Sequence, residues 1–172
     1  MAQHTSIQDT TDSGRDVSLR PIREEDRELL FRVYASTREE ELAHVAAWTA
    51  EQKVAFLRMQ FDAQHAYYQE YYAGADFQVV ELGGEPVGRL YLARWEEEHR
   101  IVDVAILPGH RGRGVGSHLL REIIAEADAA GKPVSIHVEM NNPARRLYDR
   151  LGFVPAGEHG VYLLMRRPVP AA

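Results

Sequence analysis

Apolar positions along the chain change their spacing several times, and each change marks a new element. VSLRPI (17–22) reads as a short strand whose capacity to pair ends at Pro21. Over 24–36, Leu29, Leu30, Val33 and Tyr34 recur at helical intervals. A second helix starts after Thr49, where Gln52 completes a capping-box pattern, and runs through KVAFLRMQFDAQHAYYQEYY toward Gly74. From Asp76 the period falls to that of strands. FQVVEL, Gly83-Gly84 and PVGRLYLARW form a hairpin signature, and RIVDVAIL (100–107) follows as a third consecutive strand.

The helical period returns over 114–130, where Val115, Leu119, Leu120, Ile123, Ile124 and Ala127 share one face and Gly131 supplies the stop. VSIHVE (134–139) is a strand, a helix starts at Pro143 and ends at Gly152, and VYLLMRR (161–167) is a last strand. The predicted order is strand, two helices, three strands, helix, strand, helix, strand. It describes a single α/β domain with a mixed sheet over 16–168, with a polar, aperiodic leader at 1–15 expected to be disordered and a tail at 169–172.

Composition narrows the chemistry. The 172 residues are 45% hydrophobic and 27% charged, which suits one core, and 26 acidic against 20 basic residues give a formal charge of −6. That balance disfavours nucleic-acid and anionic-membrane partners. The absence of cysteine excludes disulfides, thiolate metal sites and a cysteine nucleophile. None of the eight histidines forms a helical pair with another, so no metal site is expected. With no signal-peptide-like apolar stretch at the N-terminus and no long apolar run, the expectation is a soluble cytoplasmic protein.

One loop carries specific chemistry. Arg111, Gly112, Arg113, Gly114, Val115, Gly116 and Ser117 join a strand to a helix N-terminus. Such a place presents unpaired N–H groups and the positive end of the helix dipole to an anion, and glycines let the backbone approach it closely. A mononucleotide P-loop is excluded because Val115 stands where lysine is required after Gly109 and Gly114. A dinucleotide fingerprint fails at Ser117, and PGHR intervenes between strand and glycines.

The pattern R-x-x-G-x-G at Arg111, Gly114 and Gly116 resembles the acyl-coenzyme A pyrophosphate loop of the GNAT superfamily of N-acetyltransferases. A second motif follows one strand later. In NNPARRLYDRLGFV (141–154), Ala144, Leu147, Tyr148, Gly152 and Phe153 match the family's asparagine, A-x-x-L-Y and G-F pattern. The resemblance covers roughly 17–167. It implies a mostly antiparallel central sheet flanked by helices and splayed between strands 100–107 and 134–139. It also implies acetyl-coenzyme A as co-substrate, no metal, and transfer of acetyl to a primary amine by direct attack.

The resemblance further implies roles at particular positions. The glycine loop would hold the pyrophosphate, and a free N–H around Ile106 or Leu107 would polarise the thioester carbonyl. Tyr148 would stand near the coenzyme sulfur, although its spacing with Ala144, Leu147 and Leu151 also fits a core stripe. Asn142 with Pro143 is a good helix start, and Asn141 is the alternative match to the family asparagine. Asp103 and Glu139, with His137 beside the latter, are the candidate proton acceptors. The acceptor would bind near 38–48, with Glu39, Glu40 and Glu41, and near Tyr67, Tyr68, Tyr71 and Tyr72, a cluster equally suited to core or to a homodimer surface. Alternatives are a non-catalytic acyl-coenzyme A sensor, or an acyltransferase using another donor or a hydroxyl acceptor.

Overall fold

A computed structural model describes residues 16–172; the leader at 1–15 lies outside the described residues. Among the described residues, seven strands form one sheet in the order β1-β2-β3-β4-β5-β7-β6. They are β1 (Val17–Pro21), β2 (Asp76–Leu82), β3 (Glu85–Arg94), β4 (His99–Ile106), β5 (Val134–Glu139), β6 (Val154–His159) and β7 (Tyr162–Arg167). The helices are α1 (Arg27–Ser36), α2 (Glu39–Ala43), α3 (Ala50–Tyr71), α4 (Val115–Ala129) and α5 (Arg145–Arg150). Every strand pair is antiparallel except β4 with β5.

The local signals behave as elementary chemistry dictates. The Thr49 hydroxyl accepts from the Gln52 N–H at 3.1 Å while the Gln52 side chain accepts from the Thr49 N–H at 2.8 Å, so α3 starts with both halves of a capping box. Gly131 takes the left-handed φ of 67° that ends α4. Before α1, the Arg20 guanidinium grips Asp26 with bonds of 2.8 and 2.9 Å, tying β1 to the helix start.

Two elements depart from the sequence expectation. α2 is a five-residue helix, too short to show a period. β6 (VPAGEH) is an edge strand exposed along its whole length, with Pro155 and Gly157 at a register shift, so it carries none of the alternation that reveals a half-buried strand. The segment at 143 also enters regular helix later than predicted, at Arg145.

Both faces of the sheet are covered where the core lies. On one, α4 and α5 pack Val115, Leu119, Leu120, Ile123 and Tyr148 against Leu90, Ile101, Ile136 and Met165. On the other, Leu29 and Val33 of α1 meet Val79, and α3 closes over α1 through Leu57 and Phe61.

The feature that positions the site is an interruption. β4 pairs with β5 only through His99–Val134, Arg100–Ser135 and Ile101–Ile136. At the next residue, Val102, the register between β3 and β4 shifts: Leu92 faces Ile101 and Tyr91 faces Asp103. A bulge there bends β4 away from its neighbour. β5 instead pairs along its full length with β7, so a wedge-shaped gap opens between β4 and β5.

Candidate active site

Backbone direction decides what β4 offers to this gap. The Leu107 N–H donates to the Val87 carbonyl on β3 at 2.8 Å. Because N–H and C=O groups alternate sides along a strand, Ile106 and Val104 direct theirs away from β3, into the gap. This corrects the expectation for Leu107, whose N–H is already taken, and leaves Ile106 as the free donor of the expected pair. The Ile106 carbonyl accepts from Arg111 Nε at 2.8 Å.

Beyond β4 a turn at Pro108–His110 leads into the glycine loop. Gly112 and Gly114 have φ values of 76° and 80°, a region that other residues enter only with strain. Gly114 is the N-cap of α4, and no side chain caps the helix. Val115 buries its side chain in the core, so only its backbone faces the loop. The first-turn N–H groups of Val115, Gly116 and Ser117 therefore point outward with the helix dipole behind them, next to the exposed Arg113. Arg111 folds back instead, and its Nη2 lies 3.3 Å from Ser36 Oγ at the end of α1.

On the far side of the gap, the Asn142 side chain accepts from the Ala144 N–H at 2.9 Å in the turn that leads into α5, and Asn141 is exposed. Tyr148 is 5% exposed, with its ring against Phe153. Burial, and then the negative charge of Asp103, push its phenol up to about 12. The core-stripe and site readings of Tyr148 are thus compatible: the ring packs while the hydroxyl feels a charge on β4.

The two candidate carboxylates are both ion-paired. Asp103 accepts from Arg89 Nε at 3.2 Å, from Arg89 Nη2 at 2.9 Å and from the Tyr68 hydroxyl at 3.0 Å. Glu139 Oε1 lies 3.1 Å from Arg38 Nη1, which also bonds Glu41. His137, although its side chain is exposed, is held toward its neutral form by partial desolvation and by Arg100, whose Nη1 is 3.3 Å from Nδ1. Glu39 and Glu40 are exposed in the first turn of α2. The tyrosines divide: Tyr68 turns inward, Tyr67 and Tyr71 lean against each other at the surface with rings tilted by 31°, and Tyr72 stacks on Trp95.

The roles of Arg38, Arg89 and Gln64 are not expected from the sequence, where Arg38 is only the first residue of the 38–48 segment. Of these, Arg89 has a signal in the chain: a cation set between Gly88 and the apolar run Leu90–Ala93 of PVGRLYLARW, unlike Arg94 near the end of that stretch. Among the described residues no group of acidic or histidine side chains is arranged to hold a metal ion, and no helix is long and apolar enough to cross a membrane.

A splayed β4–β5 pair with a glycine loop and helix N-terminus at its end is the arrangement that the resemblance implied, and the Acetyltransferase (GNAT) family profile matches residues 17–153. The chain belongs to the GNAT acetyltransferase family. The streptothricin acetyltransferase of Streptomyces lavendulae is 32% identical over 89 residues, 43% of this chain and 47% of that protein. The chain spans about half the length of the curated relatives it matches. Among solved structures, the PaiA N-acetyltransferase of Thermoplasma acidophilum, determined in complex with coenzyme A, has a TM-score of 0.67 at 16% identity, covering 88% of this chain and 98% of that one. An acetyltransferase from Thermus thermophilus has a TM-score of 0.62 at 26% identity, covering 89% and 97%. The GNAT fold is thus common to this chain and these structures.

Proposed function

We propose that this GNAT protein transfers acetyl from acetyl-coenzyme A to a primary amine by direct attack. One observation carries the reading: among the described residues, β4 leaves the N–H groups of Val104 and Ile106 without a strand partner along a gap that ends at the α4 N-terminus, which has no side-chain cap and is preceded by the left-handed Gly112 and Gly114. The donor set fits the co-substrate. Gly112, Arg113, Gly114, Val115, Gly116 and Ser117 would hold the pyrophosphate, with Arg111 turning from Ser36 to join them. Asn141, exposed while the Asn142 side chain is held in its own turn, would meet the pantetheine arm.

The thioester supplies an activated acetyl group and a thiolate leaving group. The Ile106 N–H would polarise the carbonyl oxygen. Tyr148, at about 12, is too weak an acid to hand its proton fully to a thiolate whose own acid titrates at roughly 8.5. Its role is a hydrogen bond to the developing negative charge, for which a phenol that stays protonated is the right group. The amine sheds its proton to Asp103 or, from the α1–α2 side, through Glu139 to solvent.

The test is release of free thiol from acetyl-coenzyme A by purified protein across a panel of amines, beside calorimetric titration of the coenzyme. Turnover with at least one amine supports the reading. Tight binding without thiol release on any acceptor would favour the sensor, and turnover only with propionyl or succinyl donors would reassign the acyl group.

A further inference from the structure

Arg89 is an anomaly in the sheet interior. Its side chain is 3% exposed, and it sits in β3 between Val87 and the buried run Leu90, Tyr91, Leu92 and Ala93. Burying a guanidinium is costly, and a buried ion pair is often no more stabilising than two well-packed apolar side chains. Stability is therefore a poor reason for its presence.

Its contacts supply a better one. The guanidinium holds Asp103 at two points, Nε to Oδ1 and Nη2 to Oδ2. Gln64 on α3 accepts from the same Nη2 at 3.0 Å, and one turn later Tyr68 donates its hydroxyl to Oδ2. Residues four apart share a helix face, so α3 presents both groups to the pair together. Burial, then the Asp103 charge, raise Tyr68 far above the ordinary phenol range, so its hydroxyl is always a donor.

A carboxylate has about four acceptor directions, two on each oxygen. On Asp103 both directions of Oδ2 and one of Oδ1 are filled by these three bonds, which leaves a single acceptor direction on Oδ1 among the described residues. Asp103 follows the Val102 bulge, where β4 parts from β5. We propose that Arg89 is a positioning residue that, braced by Gln64 and Tyr68, fixes Asp103 in one orientation and offers its remaining Oδ1 acceptor site to the incoming amine. A carboxylate that has already lost its rotational freedom does not lose it again at the reactive encounter. The inference rests on the acetyltransferase reading above.

The experiment compares wild type, Tyr68→Phe, Tyr91→Phe and Arg89→Met/Asp103→Leu by kcat, KM for acetyl-coenzyme A, and Tm. Tyr68→Phe removes one bond to Asp103; Tyr91→Phe removes a buried hydroxyl near the cluster that has no hydrogen-bond partner among the described residues. The expected result is a kcat about tenfold lower for Tyr68→Phe with KM for acetyl-coenzyme A unchanged, against wild-type kcat for Tyr91→Phe. The double variant should keep its Tm and lose about a hundredfold or more in kcat. Equal kcat for the two single variants, or a double variant that turns over like wild type, overturns the proposal. A wild type that is inactive toward every amine overturns instead the acetyltransferase reading beneath it.

Discussion

Arg38 Nη1 and Glu139 Oε1 lie 3.1 Å apart, joining the segment after α1 to the last residue of β5, beyond the final β4–β5 pair. Both side chains are partly exposed, at 24% and 38%, so the pair contributes at most about 1 kcal/mol to stability. Its consequence is electrostatic. In Arg38→Met, Glu139 faces the gap without its counter-charge, and a cationic amine gains an attractive partner. The expected outcome is a KM for such an amine several-fold lower at low salt, with the difference shrinking as salt is added and kcat unchanged.

Gly114→Asp adds a side chain and a negative charge where a pyrophosphate would meet the α4 N-terminus, at a φ of 80°. Titration calorimetry should show acetyl-coenzyme A affinity reduced by at least about a hundredfold. Unchanged affinity would remove the loop from the coenzyme site.

Gly88 tests packing at the same strand. A Cβ there would collide with the Ala105 carbonyl oxygen of β4, which is backbone and cannot move aside cheaply. Gly88→Ala should therefore lower stability by roughly 2 kcal/mol or more, read as a fall in Tm, even though alanine normally suits a strand no worse than glycine.

Tyr148→Phe should lower kcat about tenfold or more while KM for acetyl-coenzyme A stays near wild type. The same variant has a signature in pH-dependent stability. With a folded value of about 12 against an ordinary 10, the native phenol keeps its proton after the unfolded one has lost it. The contribution of Tyr148 is complete below pH 10 and is lost as pH rises toward 12, by an amount on the order of 2 kcal/mol. Thermal melts between pH 9 and 12 should fall less steeply for Tyr148→Phe than for wild type.

What the sequence made legible, and what it did not, follows from the range of each interaction. The capping box at Thr49, the Gly83-Gly84 hairpin and the left-handed Gly114 act over a few residues, so their signals are local and readable. Strand β6 was hidden because an edge strand needs no apolar alternation. The bonds of Arg89 to Asp103 and of Arg38 to Glu139 join residues distant in the chain, and no periodicity encodes them. The choice between Ile106 and Leu107 as the free donor is open in the sequence for a related reason. Which side of a strand an N–H faces depends on the pairing register, and the Val102 bulge resets that register.

Among the described residues, the three residue pairs that join β4 to β5 are also the only strand pairing between the β1–β4 half of the sheet and the β5–β7 half. Such a seam is short for a domain of this size, and a ligand lying along Val104 and Ile106 would lengthen it. The protein then keeps part of its cohesion outside its own chain. If that ligand is the proposed coenzyme, the ligand-free protein should breathe first along this line, so that amide exchange at Ile101 and Ser135, whose N–H groups face across the seam, slows when coenzyme is added.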